Sequence, residues 1–407
     1  MGKRYFDRRR VATTSNRKKE PTGLLESRPA VHYHIQDGGA VFGSWVDEGT
    51  RNNGFNANDV IECPPYLIED FLRRLLTQGT EKIDWESADL IGNTTDGLIK
   101  DWKMFGAIAE IEPALVVLDR LCAQSKTRLF RDADGKFSFW CHDIDQAADY
   151  TDYSFGPQLH LSNLNVYRTP RSGIANTVRI NYMLNRGSGS YQKQTFIEVT
   201  KTFSGSLVAE DIDASETSWL VDDYTDFAVN DVILIDNEVC TVSAAASNPI
   251  TVARAQYNST AATHDDNAPI FILETDSDDG TGSQDQNAAS PNDREDDAIE
   301  SVWRYGVVDE FVLDCDFIID DTTAQELREH YFDFLKAPKW TVEFDTYLNA
   351  ANLKVNQIIT FNSTELDAYM KLGNTSWSGL KFVVTNIDRK DELNFHVVCE
   401  QLTYGFI

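Results

Sequence analysis

The residues that could do chemistry are scattered along this chain. His32 and His34 alternate, so a strand there puts two imidazoles on one face, a pairing that a metal site can use. No third ligand is signalled nearby, and the pair reads as surface histidines. Asp314-x-Asp316 alternates on a strand-like run and opens like the Asp-x-Asp-x-Glu of a chitinase-type carboxylate pair, but the Glu position is Ile318. Asp276-x-Asp278-Asp279-Gly280 hints at a calcium loop. Its glycine falls one place early for an EF-hand, and Asn287 stands where a closing Glu is needed. Glu329-His330 lacks the second histidine of a His-Glu-x-x-His zinc helix, and Gly187 to Ser190 lacks the nucleophile elbow of Gly-x-Ser-x-Gly. His142-Asp143 reads as loop polarity. Trp219, Tyr224 and Tyr257 could make a sugar-binding platform, although aromatic residues at strand spacing serve a core first. With 65 acids in the chain, near-misses of carboxylate motifs arise by chance. The expectation is no catalytic residue, no cofactor and no metal, in a protein that is not an enzyme.

Composition limits the partners. In 407 residues, 37 Lys and Arg stand against 65 Asp and Glu, a formal net charge of −28. Such a surface repels phosphate backbones and favours basic partners. The 42% hydrophobic content is that of a globular chain, and its length predicts two to four domains. Six widely spaced cysteines without a Cys-x-x-Cys argue against zinc ribbons and redox pairs. The N-terminus has no apolar signal region, and no apolar run approaches the length of a membrane span, so no stable membrane insertion is expected.

Positions 1–55 form a basic, extended N-terminal arm in this reading. Its cations include Arg8, Arg9, Arg10, Arg17, Lys18 and Lys19, placed to clamp an acidic neighbour. Residues 56–205 read as helices plus strands. Pro64-Pro65 opens a helix with apolar residues at helical spacing through Leu76. A second helix begins at Ser87, and a third follows Glu112-Pro113, with Ala114 to Leu118 as a short buried run. Asp134-Gly135, flanked by alternating residues, signals a hairpin over 128–140. Residues 159–168 and 174–183 alternate as strands around a turn at 169–173. A compact β module follows at 206–273, turning at Asp236-Asn237 and Asn248-Pro249 and resembling a small barrel or sandwich inserted into something larger. The acidic stretch 274–300 reads as a flexible loop. The C-terminal unit, 301–407, holds a strand pair at 305–318, a helix from Ala324 capped by Thr322-Thr323, and strands near 340–348, 353–361, 381–388 and 394–402. The fold class is α+β and β-dominated.

Several blocks resemble one family. PPYLIEDFLRRLL with KIDWES (64–87) is similar to a helix of the tail-tip and baseplate hub proteins of tailed bacteriophages. The helix and Asp-x-Asp-Gly-Lys hairpin of 114–140 resemble the family's next element, and 161–184 its Arg-Thr-Pro turn between two strands. The unit at 217–273 resembles a small virion β module, with Asp-Asn-Glu at 236–238, Ile-Thr-Val-x-Arg at 250–254 and a later His264. Residues 327–361 resemble the closing helix and strands, with Asn356-Gln357 in place of the usual Gly-Asp.

This resemblance implies hub-type β-barrels, one of them interrupted by the inserted module. It also implies a structural virion protein of the tail tip or baseplate, made in the host cytoplasm. Its implied partners are two further copies in a homotrimer, a distal tail or tube protein, the tape-measure protein, and a tip fibre or spike protein. The genome passes through the lumen without specific binding. A tail-associated cell-wall hydrolase and a carbohydrate-binding receptor module are the alternatives.

Overall fold

The computed structural model describes residues 60–402 except 73–81, 94–96, 106–112, 133, 142–152, 156–160, 279–292, 307, 348–352, 371, 373–375 and 391–393. Before residue 60 it describes only β1 (Ile35–Gln36), β2 (Gly39–Ala40) and β3 (Trp45–Val46). β1 pairs with β2, and β3 with β4 (Val60–Ile61). Arg8, Arg9, Arg10, Arg17, Lys18, Lys19, His32 and His34 therefore lie outside the described residues, as do His142 and Asp143.

Three helices come first. α1 (Pro64–Asp70) places both prolines in its first turn, where a missing N–H leaves no bond unmade. α2 (Trp85–Gly92) starts two residues before Ser87. α3 (Ala114–Ala123) follows Pro113 and turns Val117, Leu118 and Leu121 into the core. Leu115 is 71% exposed and Val116 44%, so Ala114 to Leu118 is not a buried run. A helix advances 3.6 residues per turn, and five consecutive apolar residues cannot all face one side.

The Asp134-Gly135 hairpin forms as read. β5 (Thr127–Arg131) pairs with β6 (Phe137–Cys141) around Gly135 at φ +76°. Asp132 tightens the turn by accepting from the backbone N–H groups of Asp134 (2.9 Å) and Lys136 (2.8 Å).

The remaining strands form two large sheets, and the fold is β-dominated α+β. β7 (Tyr153–Phe155) and β8 (Ser162–Arg168) belong to a six-stranded sheet ordered β7-β18-β19-β20-β17-β8. Its other members are β17 (Trp340–Thr346), β18 (Ile358–Phe361), β19 (Lys381–Arg389) and β20 (Phe395–Gln401). The last strand ends close to its expected limits, and Asn356 takes the left-handed turn at φ +69°. β9 (Thr177–Asn185) belongs to an eight-stranded sheet ordered β11-β14-β13-β12-β15-β10-β9-β16. The chain at 169–176 thus crosses from one sheet to the other instead of closing a hairpin.

β10 (Ser190–Leu207) is the spine of the eight-stranded sheet. It pairs with β9 along Ser190 to Ile197 and with β15 (Pro269–Asp278) along Phe196 to Leu207. The register shifts beyond Phe203, where Gly205 sits at φ +95°, a backbone shape that glycine accepts without a Cβ clash. In sequence, β11 (Ser218–Trp219), β12 (Val232–Ile235), β13 (Glu238–Ala244) and β14 (Ile250–Ala253) fall between β10 and β15, and in the sheet they extend outward from β15, each paired antiparallel with the next in sheet order.

Hydrophobic residues gather into three main cores. One joins α1, α2, α3 and β6 to β9 and β10, and to the later helices α4 (Asp293–Tyr305) and α5 (Asp321–Leu335). A second lies on the six-stranded sheet and includes Leu366 of α6 (Ser363–Tyr369). The third draws its buried residues from 208–270, while Leu234, Val239 and Leu273 of the same β module pack into the first.

Three expectations for the later part of the chain need correction. The acidic stretch 274–300 begins inside β15 and ends inside α4. α4 is amphipathic: Ala298, Ile299 and Val302 are buried at helical spacing, and five of the ten acids that suggested a loop belong to this helix, Glu295 and Glu300 among them being buried. Residues 305–318 hold one strand, β16 (Glu310–Asp314), which runs parallel to β9. The cap of α5 is Asp320, whose carboxylate accepts from Thr323 N–H at 3.0 Å.

Candidate functional site

The most concentrated group of buried charges lies in the 208–270 core. The β12–β13 turn puts Asp236 at φ +49°, which Asp tolerates, and sends Glu238 inward two residues later. Arg254 follows the last residue of β14. His264 is fixed by a reciprocal backbone pair with Ile212, 2.9 Å in each direction.

These residues converge on one carboxylate. Glu238 is fully buried. Its Oε1 accepts from Arg254 Nε (2.8 Å) and Ala255 N (3.1 Å). Its Oε2 accepts from Arg254 Nη2 (2.6 Å), Ala262 N (2.9 Å) and His264 Nε2 (2.9 Å). Arg254 also donates through Nη1 to the carbonyls of Asp213 (2.6 Å) and Glu216 (2.9 Å), and its guanidinium lies over the Trp219 ring. His264 reaches Asp236 through Nδ1 at 2.8 Å.

The electrostatics follow from those bonds. Burial works against the charged Glu238, but hydrogen bonds from Arg254, His264 and two backbone N–H groups hold its pKa well below the ordinary carboxylate range. Burial also opposes a charged His264, and its bonds to Glu238 and Asp236 outweigh that and raise its pKa. Five N–H donors and the Cys240 thiol, 3.4 Å from Oε1, leave Glu238 no accessible lone pair with which to move a proton or attack a substrate. The group ties together the β12–β13 hairpin, the end of β14 and the segments at 212–216 and 262–264. It is a cross-link.

A larger space opens on the same sheet. A cavity of about 780 Å³ opens between the β10–β15 ribbon, the β12–β13 hairpin and α4. Acids line it, among them Glu198, Asp231, Glu274, Asp276, Glu295 and Asp296, and among the described residues no Lys or Arg does. Among the described residues no cluster of three or more His, Cys, Asp or Glu is arranged to hold a metal ion.

The candidate residues from the sequence separate in space. Asp276 lies on β15 instead of a loop, and Asp279 and Gly280 fall outside the described residues. Asp314 accepts from Asn181 at 2.8 Å, while Asp316 binds Arg120 and accepts from the Tyr191 hydroxyl at 2.7 Å. Glu329 pairs with Arg294 at 3.3 Å. His330 packs against Tyr331 and Phe334, and burial, followed by the fields of Lys126, Lys339 and Arg128, pushes its pKa down to about 3. Gly187 to Ser190 form the β9–β10 turn, where Asn185 Oδ1 accepts from Gly187 N at 2.9 Å. Trp219 is fully buried in the module core and Tyr257 packs on the helical core, so these two share no exposed platform with Tyr224.

All six cysteines are free thiols. Burial pushes Cys122 up to about 12 and raises Cys63, Cys240, Cys315 and Cys399 further, which keeps them protonated and poorly nucleophilic. No helix among the described residues is long and apolar enough to cross a membrane.

Sequence reasoning missed a second cluster, on the six-stranded sheet. Asp345 accepts from Lys390 (2.8 and 3.0 Å), Asn163 (2.6 Å) and His396 (2.8 Å). Burial opposes its charge, but these donors hold its pKa near 2. Positions 163, 345, 390 and 396 share no local motif, so only strand pairing reveals them.

No protein-family model matches this chain, and no curated protein matches it. Among solved structures, a chain from the virion of a native gene transfer agent particle is similar at a TM-score of 0.38 and 8% identity. The match covers 84% of this chain and 48% of that one, so this protein spans about half the length of its structural neighbour. At that TM-score the likeness carries no argument, and any functional reading rests on the residues of this chain.

Proposed function

We propose that this chain is a structural virion protein: a hub at the tip or baseplate of a bacteriophage-type tail. It forms a ring of three copies that joins the tail tube or distal tail protein to a tip fibre or spike. The tape-measure protein meets the ring, and the genome passes through without specific binding. One observation carries the reading. Residues from the hub-like blocks 64–87, 114–140 and 161–184, and from the start of 327–361, meet in one core, while the block at 217–273 builds a further core of its own and joins the first through Leu234, Val239 and Leu273. A shared frame carrying a module with a core of its own is the organisation that the hub resemblance implies. Asp314, Asp316 and Glu329, carboxylates singled out in the sequence, are bound into structural bonds. The acidic surface agrees with passage of DNA without capture, since unfavourable phosphate contacts speed release.

Light scattering with negative-stain imaging of the full chain tests this. A three-copy mass and a ring with a central opening are expected. A monomer that digests purified cell wall, or that binds cell-wall glycan, overturns the reading in favour of a hydrolase or a receptor module. The arm bearing Arg8, Arg9, Arg10, Arg17, Lys18 and Lys19 is assigned to an adjacent acidic subunit. Deleting residues 2–19 is expected to weaken the ring, and intact rings at ordinary salt remove that assignment.

A further inference from the structure

A second cavity, of about 300 Å³, lies where the C-terminal end of α3 and the start of β5 face α5. Its apolar wall is Tyr331 and Phe334. Tyr331 is pinned by its hydroxyl, which donates to the Ala123 carbonyl at 2.8 Å. Its polar lining is unusual for a chain of net charge −28: Lys126, Arg128 and the neutral ring of His330. Behind Phe334 stands a third cation, Lys339. Glu400 answers two of these cations at long range, 3.7 Å from Lys339 and 4.0 Å from Arg128. The Lys126 ammonium rests over the Trp102 ring and the Arg128 guanidinium over Trp140. Among the described residues, the three cations Lys126, Arg128 and Lys339 thus stand against Glu400 and, on the Cys122 side, Asp119, beside an open, partly apolar space.

We propose that this cavity binds a single carboxylate carried on an apolar body, with Lys126 and Arg128 pairing with the carboxylate and Tyr331 and Phe334 packing on the body. A guanidinium offers paired donors matched to a carboxylate, and the aromatic wall removes apolar surface from water. A polyphosphate is a poorer occupant, because its remaining charges must approach the acidic surface. The carboxylate can come from an acidic side chain of a protein partner or from a free acid, and the test separates them.

The experiment is ligand-observed NMR titration of the full chain with benzoate, with benzamide as the neutral isostere. Benzoate is expected to bind at roughly millimolar affinity and benzamide about tenfold more weakly. Arg128→Gln is expected to weaken benzoate about fivefold or more, and Arg128→Lys to restore much of the loss. Arg128 is exposed, so both variants should fold. Burial first, and then the Arg128 field, pull Lys339 down to about 7 against the pull of Glu400. With Glu400, Arg128 and His330 as its charged and titratable neighbours, Lys339 gains a proton as pH falls from about 8 to about 6, so benzoate binding strengthens over that range. Displacement of benzoate by the blocked dipeptide acetyl-Phe-Asp-amide identifies a side-chain carboxylate as a ligand, and its failure to displace assigns the pocket to free acids. Equal binding of benzoate and benzamide, tighter binding of inorganic phosphate than of benzoate, or an Arg128→Gln variant that binds like the parent overturns the proposal.

Discussion

Replacing Glu238 with Gln isolates what the buried cross-link contributes. Glutamine keeps the size of the side chain but turns an NH₂ donor toward donors that now meet a carboxylate oxygen. Those donors are Arg254, Ala255 N, Ala262 N and His264. Breaking one partner of a buried ion pair costs about 3–5 kcal/mol. Arg254 keeps its bonds to the carbonyls of Asp213 and Glu216, so the lower end, about 3 kcal/mol, applies here. Because the third core draws its buried residues from 208–270, the loss should appear first as local opening there. Hydrogen exchange followed by mass spectrometry is the assay. Amides of β12, β13 and β14 are expected to exchange roughly a hundredfold faster, since each 1.4 kcal/mol is about a factor of ten. Amides of β17 and β20 should not change. The double variant Glu238→Leu with Arg254→Met is expected to regain much of the protection, because a well-packed apolar pair can replace a buried ion pair. Less than about a threefold acceleration in Glu238→Gln refutes the reasoning and makes the network a bystander of the packing.

Three further outcomes follow from the same structure. The His264 pKa is raised on folding, so its contribution is complete below its unfolded value of about 6.5 and fades as pH rises through the folded value. The stability lost in His264→Gln is therefore expected to be larger near pH 5.5 than near pH 9, as thermal melts at the two values will show. Asp345, held near 2, stabilises the six-stranded sheet above the usual carboxylate range and loses that contribution as pH falls toward 2. Asp345→Asn is expected to cost about 1–3 kcal/mol in urea unfolding at neutral pH, with the difference shrinking in acid. Leu115 lies open on α3, so Leu115→Asp should move the stability of the isolated chain by less than about 0.5 kcal/mol; a larger loss in chemical denaturation means that its side chain packs on something within the chain.

Local chemistry already determined much of this protein in its sequence. The Asp134-Gly135 and Asp236-Asn237 turns form as read, because each depends on only a few neighbouring residues and on backbone shapes that Gly and Asp accept. The strand at 340–346 and the helix after Asp320 follow alternation and helical spacing that adjacent side chains carry by themselves. Glu238, Arg254 and His264 stood out in the sequence only as parts of a family-like pattern. Their meeting at one carboxylate depends on a hairpin, a strand end and a bridge to Ile212 arriving together, which no spacing encodes. Alternation marks which face of a strand is apolar and says nothing of its partner. Only the tertiary structure could send β8 and β9 to different sheets and lay β16 parallel to β9 from more than 120 residues away. The same holds for α4, where the acids dominate composition while Ala298, Ile299 and Val302 decide the packing. Burial energy depends on which surfaces meet, and distant parts of the chain supply those surfaces.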